Sequence, residues 1–174
     1  MTTNTIIKYN LEVFWNNEYK HLHYINEPFN DEVSTDAWIE QGYPEKFTGD
    51  MCDMRSPQPS WNQQFIDHFA SLGWKNIGTS YYRMNTGTIL PTHGDLYLKY
   101  IDLFNLQGQE RTIRRAVVFL EDWKSGHYFE SLGVPLTEWS AGTVIEWTYN
   151  TTHMAANIGP EPRYTLQITG HIDG

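Results

Sequence analysis

Tyr82-Arg83-Met84-Asn85-Thr86-Gly87-Thr88-Ile89-Leu90-Pro91-Thr92-His93-Gly94-Asp95 is the stretch whose reading decides the fold. Residues 76–83 read as a strand, Asn85-Thr86-Gly87 as a turn, and residues 88–90 as a second short strand leading to Pro91 and His93. His93 and Asp95 stand two positions apart, and in extended backbone such residues point to the same side. Gly94 between them adds no side chain and lets the backbone bend toward an ion. One imidazole and one carboxylate at this spacing are two thirds of a two-His, one-carboxylate facial triad, the ligand set that leaves positions open on non-haem Fe(II).

The C-terminal third offers the rest. His153 follows a strand and turn, and ten residues later comes Arg163 in Arg163-Tyr164-Thr165. On a strand, Arg163 and Thr165 share a face, and a planar guanidinium beside a hydroxyl suits a two-point grip on a carboxylate. His-x-Asp, a long gap, His and then Arg is a far more specific order than any one of its parts.

Outward from these motifs, the chain reads as many short strands separated by turn residues, which favours a sandwich or barrel. Residues 112–120 contain the continuous apolar run Ala116-Val117-Val118-Phe119-Leu120. Residues 126–131, 134–138, 143–147, 152–157 and 163–171 read as further strands. Residues 5–25 alternate loosely and read as a hairpin or two edge strands. Residues 31–41 read as a short helix with Val33, Ala37 and Trp38 on one side. Residues 42–59, with three prolines and two glycines, read as loop. Ser60 begins a helix with Gln63 as its capping-box partner, Trp61, Phe65, Phe69 and Leu72 form its apolar stripe, and Gly73 ends it. Residues 96–106 fit a short helix beside the site or a buried strand.

Composition narrows the function. The chain has 174 residues, enough for one domain with its own core, and a net charge of −9, which argues against nucleic acid as a partner. The run Arg111, Arg114, Arg115 reads as a solvated strand-end cluster. Cys52 is the single cysteine, so disulfide frameworks and cysteine-ligated metal sites are excluded. It reads as a small buried hydrophobe. The expectation is a reduced, cytoplasmic protein with no signal peptide and no membrane span. Aromatic residues make up 15 % of the chain. Of those near the motifs (Tyr97, Tyr100, Trp123, Tyr128, Trp147 and Tyr149), some are expected to line the substrate cavity. Arg83 reads equally as a carboxylate contact or a strand-edge salt bridge. His68 and His127 read as packing histidines.

From about residue 82 to residue 172 the sequence resembles the Fe(II)/2-oxoglutarate-dependent dioxygenases, and most closely their aspartyl/asparaginyl β-hydroxylase and cis-3-proline hydroxylase branch. The stretches that carry the resemblance are residues 83–95, Trp139-Ser140-Ala141-Gly142-Thr143-Val144-Ile145-Glu146-Trp147, His153-Met154-Ala155-Ala156-Asn157 and Pro162-Arg163-Tyr164-Thr165-Leu166. The resemblance implies a mainly β, double-stranded β-helix of jelly-roll, cupin-like type with a few flanking helices. It implies His93, Asp95 and His153 as iron ligands, and Arg163 with Thr165 as the partners of the distal carboxylate of 2-oxoglutarate. The implied reaction hydroxylates an amino acid, free or in a peptide, and turns 2-oxoglutarate and O2 into succinate and CO2. Where many members carry Arg-x-His on the strand after the first ligand pair, this chain has Arg114-Arg115-Ala116-Val117. Residues 1–174 are read as one oxygenase domain, with 1–75 as flanking, substrate-shaping elements and 76–174 as the jelly-roll core. The competing readings are a non-catalytic, cupin-like metal-binding or sensor module and a metal-free structural jelly roll. The Arg163-Tyr164-Thr165 element favours the enzyme, because a metal-binding barrel has no need of a carboxylate clamp.

Overall fold

The apolar run at 116–120 is buried on both sides, and that fact organises the architecture. In the computed structural model, which describes residues 4–174, it forms most of β6 (Ile113–Phe119) in the middle of a seven-stranded sheet. Ala116 and Val118 face one hydrophobic cluster and Val117 and Phe119 face another. A strand covered on both faces needs no polar alternation.

The remaining strands are β1 (Ile6–Asn10), β2 (Tyr24–Asn26), β3 (Asp50–Cys52), β4 (Lys75–Met84), β5 (Thr88–His93), β7 (His127–Ser131), β8 (Val134–Leu136), β9 (Thr143–Thr148), β10 (His153–Asn157) and β11 (Arg163–His171). The larger sheet runs β1-β9-β6-β11-β4-β3-β2 and the smaller, four-stranded sheet runs β5-β10-β7-β8. Every paired ladder is antiparallel. This is the double-stranded β-helix that the motifs lead one to expect, with three α-helices at its flanks: α1 (Glu32–Glu40), α2 (Asn62–Ser71) and α3 (Leu98–Phe104).

Two large cores, with a smaller cluster around α3, hold it together. The outer face of the large sheet is covered by Phe65 and Phe69 of α2, both fully buried with Tyr81, Val118 and Leu166. Burying each such aromatic contributes about 1.5–3 kcal/mol. Between the sheets, Met84, Phe119, Phe129, Ile145 and Trp147 form the inner core. On β11 the alternation divides the work. Tyr164, Leu166 and Ile168 join the outer core, while Arg163, Thr165 and Gln167 face a cavity between the sheets.

The structure decides between several local alternatives and corrects other expectations. Residues 5–25 make two edge strands rather than a hairpin, because β1 pairs β9 and β2 pairs β3 at opposite ends of the sheet. The stretch read as loop contains β3. It is recruited by long-range pairing to β4, and no local signal announces such pairing. Ser60 does not cap α2: both its amide and its hydroxyl donate to Glu18 (2.8 Å each), and Gln63 bonds Asp67 instead. Val33 and Leu72 lie outside their expected stripes, 81 % and 51 % exposed. The ambiguous segment after Asp95 is the helix α3. Arg83 takes the salt-bridge role, with Nη2 2.6 Å from Asp50. Cys52 is buried. Among the described residues, no helix is long and apolar enough to cross a membrane.

Candidate metal centre and its cavity

His93 closes β5, and it points inward because the strand is irregular. His93 sits opposite His153 on β10, yet Leu90, three residues earlier, sits opposite Ala155, only two residues later. One extra residue is therefore accommodated around Pro91-Thr92. Proline lacks an N–H, and in sheets it is confined to edges and bulges. β5 is such an edge. The bulge lets Leu90 and His93, which strict alternation would send to opposite faces, both line the cavity. The opposed register then brings the two imidazoles side by side, ring centroids 4.4 Å apart.

Asp95 lies just past the end of β5. Its Oδ1 is 3.8 Å from His93 Nε2 and its Oδ2 3.9 Å from His153 Nε2. One ligand atom from each of the three residues falls within 4.8 Å of the others. The ring nitrogens are pre-assigned. His93 Nδ1 lies 2.8 Å from the Pro91 carbonyl and His153 Nδ1 3.1 Å from the Thr151 carbonyl. A carbonyl can only accept, so each Nδ1 carries the proton and each Nε2 presents a lone pair toward Asp95, the arrangement a metal-binding histidine needs. Burial pulls the His153 pKa down to about 4, against the opposing pull of Asp95, so the ring is neutral. Burial pushes the Asp95 carboxyl up, but the Arg115 guanidinium beside it outweighs burial and holds the pKa below its ordinary value. Two imidazoles and one carboxylate, converging and largely buried, are a donor set that fits a divalent transition metal. Gly94 has no special role here: a Cβ at that position would meet only Asn150 Oδ1 at 3.6 Å, an ordinary contact.

Arg115 is the residue that sequence reading missed. The sequence pattern groups it with Arg111 and Arg114 as solvated, but it turns into the cavity from β6 and only 16 % of its side chain is exposed. Its Nη2 is 3.2 Å from Asp95 Oδ2, its Nη1 donates to Gln167 Oε1 at 3.1 Å, and its guanidinium lies 5.1 Å from the Tyr97 ring centroid. Tyr97 itself sits in the left-handed region, φ 54°, a costly conformation for an aromatic residue that marks a constrained site. One signal was available: Arg115, Val117 and Phe119 share a face of β6, the face that meets the small sheet.

Arg163 and Thr165 line the same cavity as the His-Asp-His group. Arg163 is 7 % exposed and donates from Nη1 to the Tyr128 carbonyl at 2.8 Å, while its Nε is buried with no partner. No carboxylate pairs with it among the described residues, and burial alone lowers its pKa to about 10. A buried guanidinium without a counter-ion carries a desolvation cost and is aimed at an anion from outside. The cavity holds about 90 Å3, and its other walls are mostly apolar, with Leu90, Phe129 and Trp147 among them. Phe29, from the first quarter of the chain, closes one side. It packs edge-on to His93 (5.2 Å) and against Trp38 (5.2 Å), which packs at a tilt on Phe47 (5.1 Å). Of the aromatics flagged in the sequence, Trp147 lines the cavity and packs on His153 at 4.7 Å. Tyr97, Tyr100 and Tyr149 pack with α3. His127 is buried and bonds the Glu161 carbonyl, away from the ligand group.

No family model matches the sequence, and no curated protein is recognisably similar to it. Among solved structures, the fold is similar to that of a prolyl-4-hydroxylase from Pseudomonas putida: 13 % identity, a TM-score of 0.55, and coverage of 82 % of this chain and 84 % of that one. Weaker likenesses are to an uncharacterised Klebsiella pneumoniae protein with a double-stranded β-helix domain (12 % identity, TM-score 0.38, 55 % and 67 % coverage) and to a Thermotoga maritima protein described as a predicted oxalate decarboxylase (13 % identity, TM-score 0.39, 71 % and 80 % coverage). At such identities the likeness is one of fold.

Proposed function

We propose that the protein is an Fe(II)/2-oxoglutarate-dependent dioxygenase that hydroxylates an amino acid, free or within a peptide, as a single domain over residues 1–174. His93, Asp95 and His153 are its metal ligands, and Arg163 with Thr165 binds the distal carboxylate of 2-oxoglutarate. The observation that carries this reading is the unpaired, buried Arg163 guanidinium in the same cavity as a converging His-Asp-His group. A metal-binding module gives no reason to hold an uncompensated cation in its core, whereas a dicarboxylate cosubstrate supplies the missing charge.

Bound there, Fe(II) with 2-oxoglutarate and O2 supplies the oxidising chemistry, with succinate and CO2 as coproducts. The chain's own residues do the rest. The Pro91 and Thr151 carbonyls fix the two imidazoles in one tautomer. Arg115 engages one oxygen of Asp95 and leaves the other free to act as a one-point ligand. Phe29, Leu90, Phe129 and Trp147 exclude water and shape the space in which a substrate C–H must be presented. Within the dioxygenases, the motif stretches favour the aspartyl/asparaginyl β-hydroxylase and cis-3-proline hydroxylase branch. Phe29 and Trp38 give the N-terminal part its substrate-shaping role.

The test is a screen of free amino acids and peptides with Fe(II), 2-oxoglutarate and air, read as succinate release and as oxygen gained by the substrate in mass spectrometry. Substrate-stimulated succinate that disappears in Arg163→Ala and His153→Ala is the expected result. Tight iron binding with no 2-oxoglutarate binding would overturn the enzyme reading in favour of a metal-binding module.

A further inference from the structure

A second cavity lies behind the first. It holds about 170 Å3 and is lined by Ile6 and Lys8 of β1, Phe129 and Ser131 of β7, Leu136 of β8 and Ile145 of β9. Strands β1 and β8 are the terminal strands of the two sheets, so this space opens where the free edges of the sandwich face each other. Phe129 lines both cavities. Its ring stacks on Trp147 (5.9 Å, 29° between planes), and Trp147 packs on His153. Ser131 is the direct cross-strand partner of His153. One aromatic layer therefore separates the second cavity from the candidate metal centre.

The chemistry of the lining says what it can hold. Apart from Lys8, whose residue is exposed, the only polar side chain is Ser131, and its hydroxyl is buried without a partner. A buried water needs about two to four hydrogen-bond partners, and a closed apolar cavity of about 150 Å3 stays dry and takes up benzene or xenon; this one opens to solvent at its rim, where Val134 is 65 % exposed, and its inner wall offers water a single hydroxyl. The space suits a small apolar guest. The reaction proposed above consumes one, dioxygen, alongside a polar cosubstrate and a substrate that share a front cavity of only about 90 Å3.

We propose that the second cavity is a dioxygen-binding antechamber, filled from solvent between β1 and β8 and emptying past Phe129 toward the metal centre. The gas-binding half stands on the lining alone; the delivery half rests on the oxygenase reading.

The experiment uses xenon and dioxygen on wild type, Leu136→Trp and Ile145→Phe. Both substitutions fill the cavity from residues outside the metal and cosubstrate contacts, one from a partly exposed strand and one from the core. Methyl NMR under xenon pressure should shift the Ile6, Leu136 and Ile145 signals of wild type, and the remaining ones should stop responding in the filled variants. In turnover, KM for O2 should rise several-fold in at least the variant that stays folded, with KM for 2-oxoglutarate unchanged. Cavity methyls that ignore xenon would overturn the antechamber whatever the protein catalyses. Xenon binding with an unchanged KM for O2 in a filled variant would overturn the route. Xenon binding in a wild type that neither binds nor consumes 2-oxoglutarate would sink the oxygenase reading and the delivery half with it, leaving a plain apolar cavity.

Discussion

Arg115 on β6 and Arg163 on β11 reach into the same cavity from adjacent strands of one sheet, and they are held in opposite ways. Arg115 has its charge compensated, with Asp95 on one side, Gln167 on the other and Tyr97 against its face, although its Nε, like that of Arg163, is buried without a partner. Arg163 has one backbone carbonyl and, among the described residues, no carboxylate to compensate its charge. A guanidinium whose charge is compensated within the fold belongs to the structure, while one without a counter-ion is suited to an anion that the fold does not supply. The contrast divides the site into a half that the protein completes by itself and a half that it leaves to a ligand.

That division can be broken at its strongest point first. His153→Ala removes a donor from the completed half, and Fe(II) or Co(II) affinity should fall by at least about 100-fold, above the 10–100-fold typical of losing a supporting residue. Metal titration with the iron-free protein checks it, and an unchanged affinity would mean that the three residues do not act together. Arg115→Met leaves the Asp95 carboxylate without its cation and should cost about 3 kcal/mol in urea unfolding of the metal-free protein, the low end for a broken buried pair because both partners keep some contact with water. Restored metal should recover part of that loss, since the ion then supplies the missing positive charge. Arg163→Met should have the smallest effect. With no counter-ion to strand, swapping the buried cation for an apolar side chain of similar length should leave ligand-free stability unchanged or slightly raised. A loss as large as that of Arg115→Met would show that Arg163 is structural, and the contrast would collapse.

The sequence carried the site further than it carried the fold's edges. His93, Asp95, His153, Arg163 and Thr165, which the fold gathers around one cavity, stand out in the sequence through short-range features: strand alternation, motif order and a guanidinium with a hydroxyl two residues on. What was hidden depends on partners distant in the chain. The β5 bulge that turns His93 inward is visible only once β10 is laid against it. β3 exists because β4 offers it an edge, and Glu18 rather than Gln63 holds Ser60 because the short 3-10 turn Asn17–His21 meets the start of α2, far from it in sequence. Arg115 sat in a run of arginines that looked solvated. Which of two neighbours, Arg114 or Arg115, faces inward is decided by the face of β6 that meets the small sheet. Phe29 and Trp38 could not be placed over His93 from local pattern at all, because α1 and its approach are positioned by aromatic contacts rather than by a strong amphipathic stripe.

The most direct test of the central claim, that the His-Asp-His group and Arg163 form one metal and cosubstrate site, is an anaerobic titration of the iron-loaded protein with 2-oxoglutarate, followed by the weak visible charge-transfer band of the chelate. The account predicts a saturable band in wild type and at least about a 30-fold weaker half-saturation in Arg163→Ala, the equivalent of about 2 kcal/mol for removing one partner of a buried charge pair. Iron bound with no band, or a band indifferent to Arg163→Ala, would contradict it.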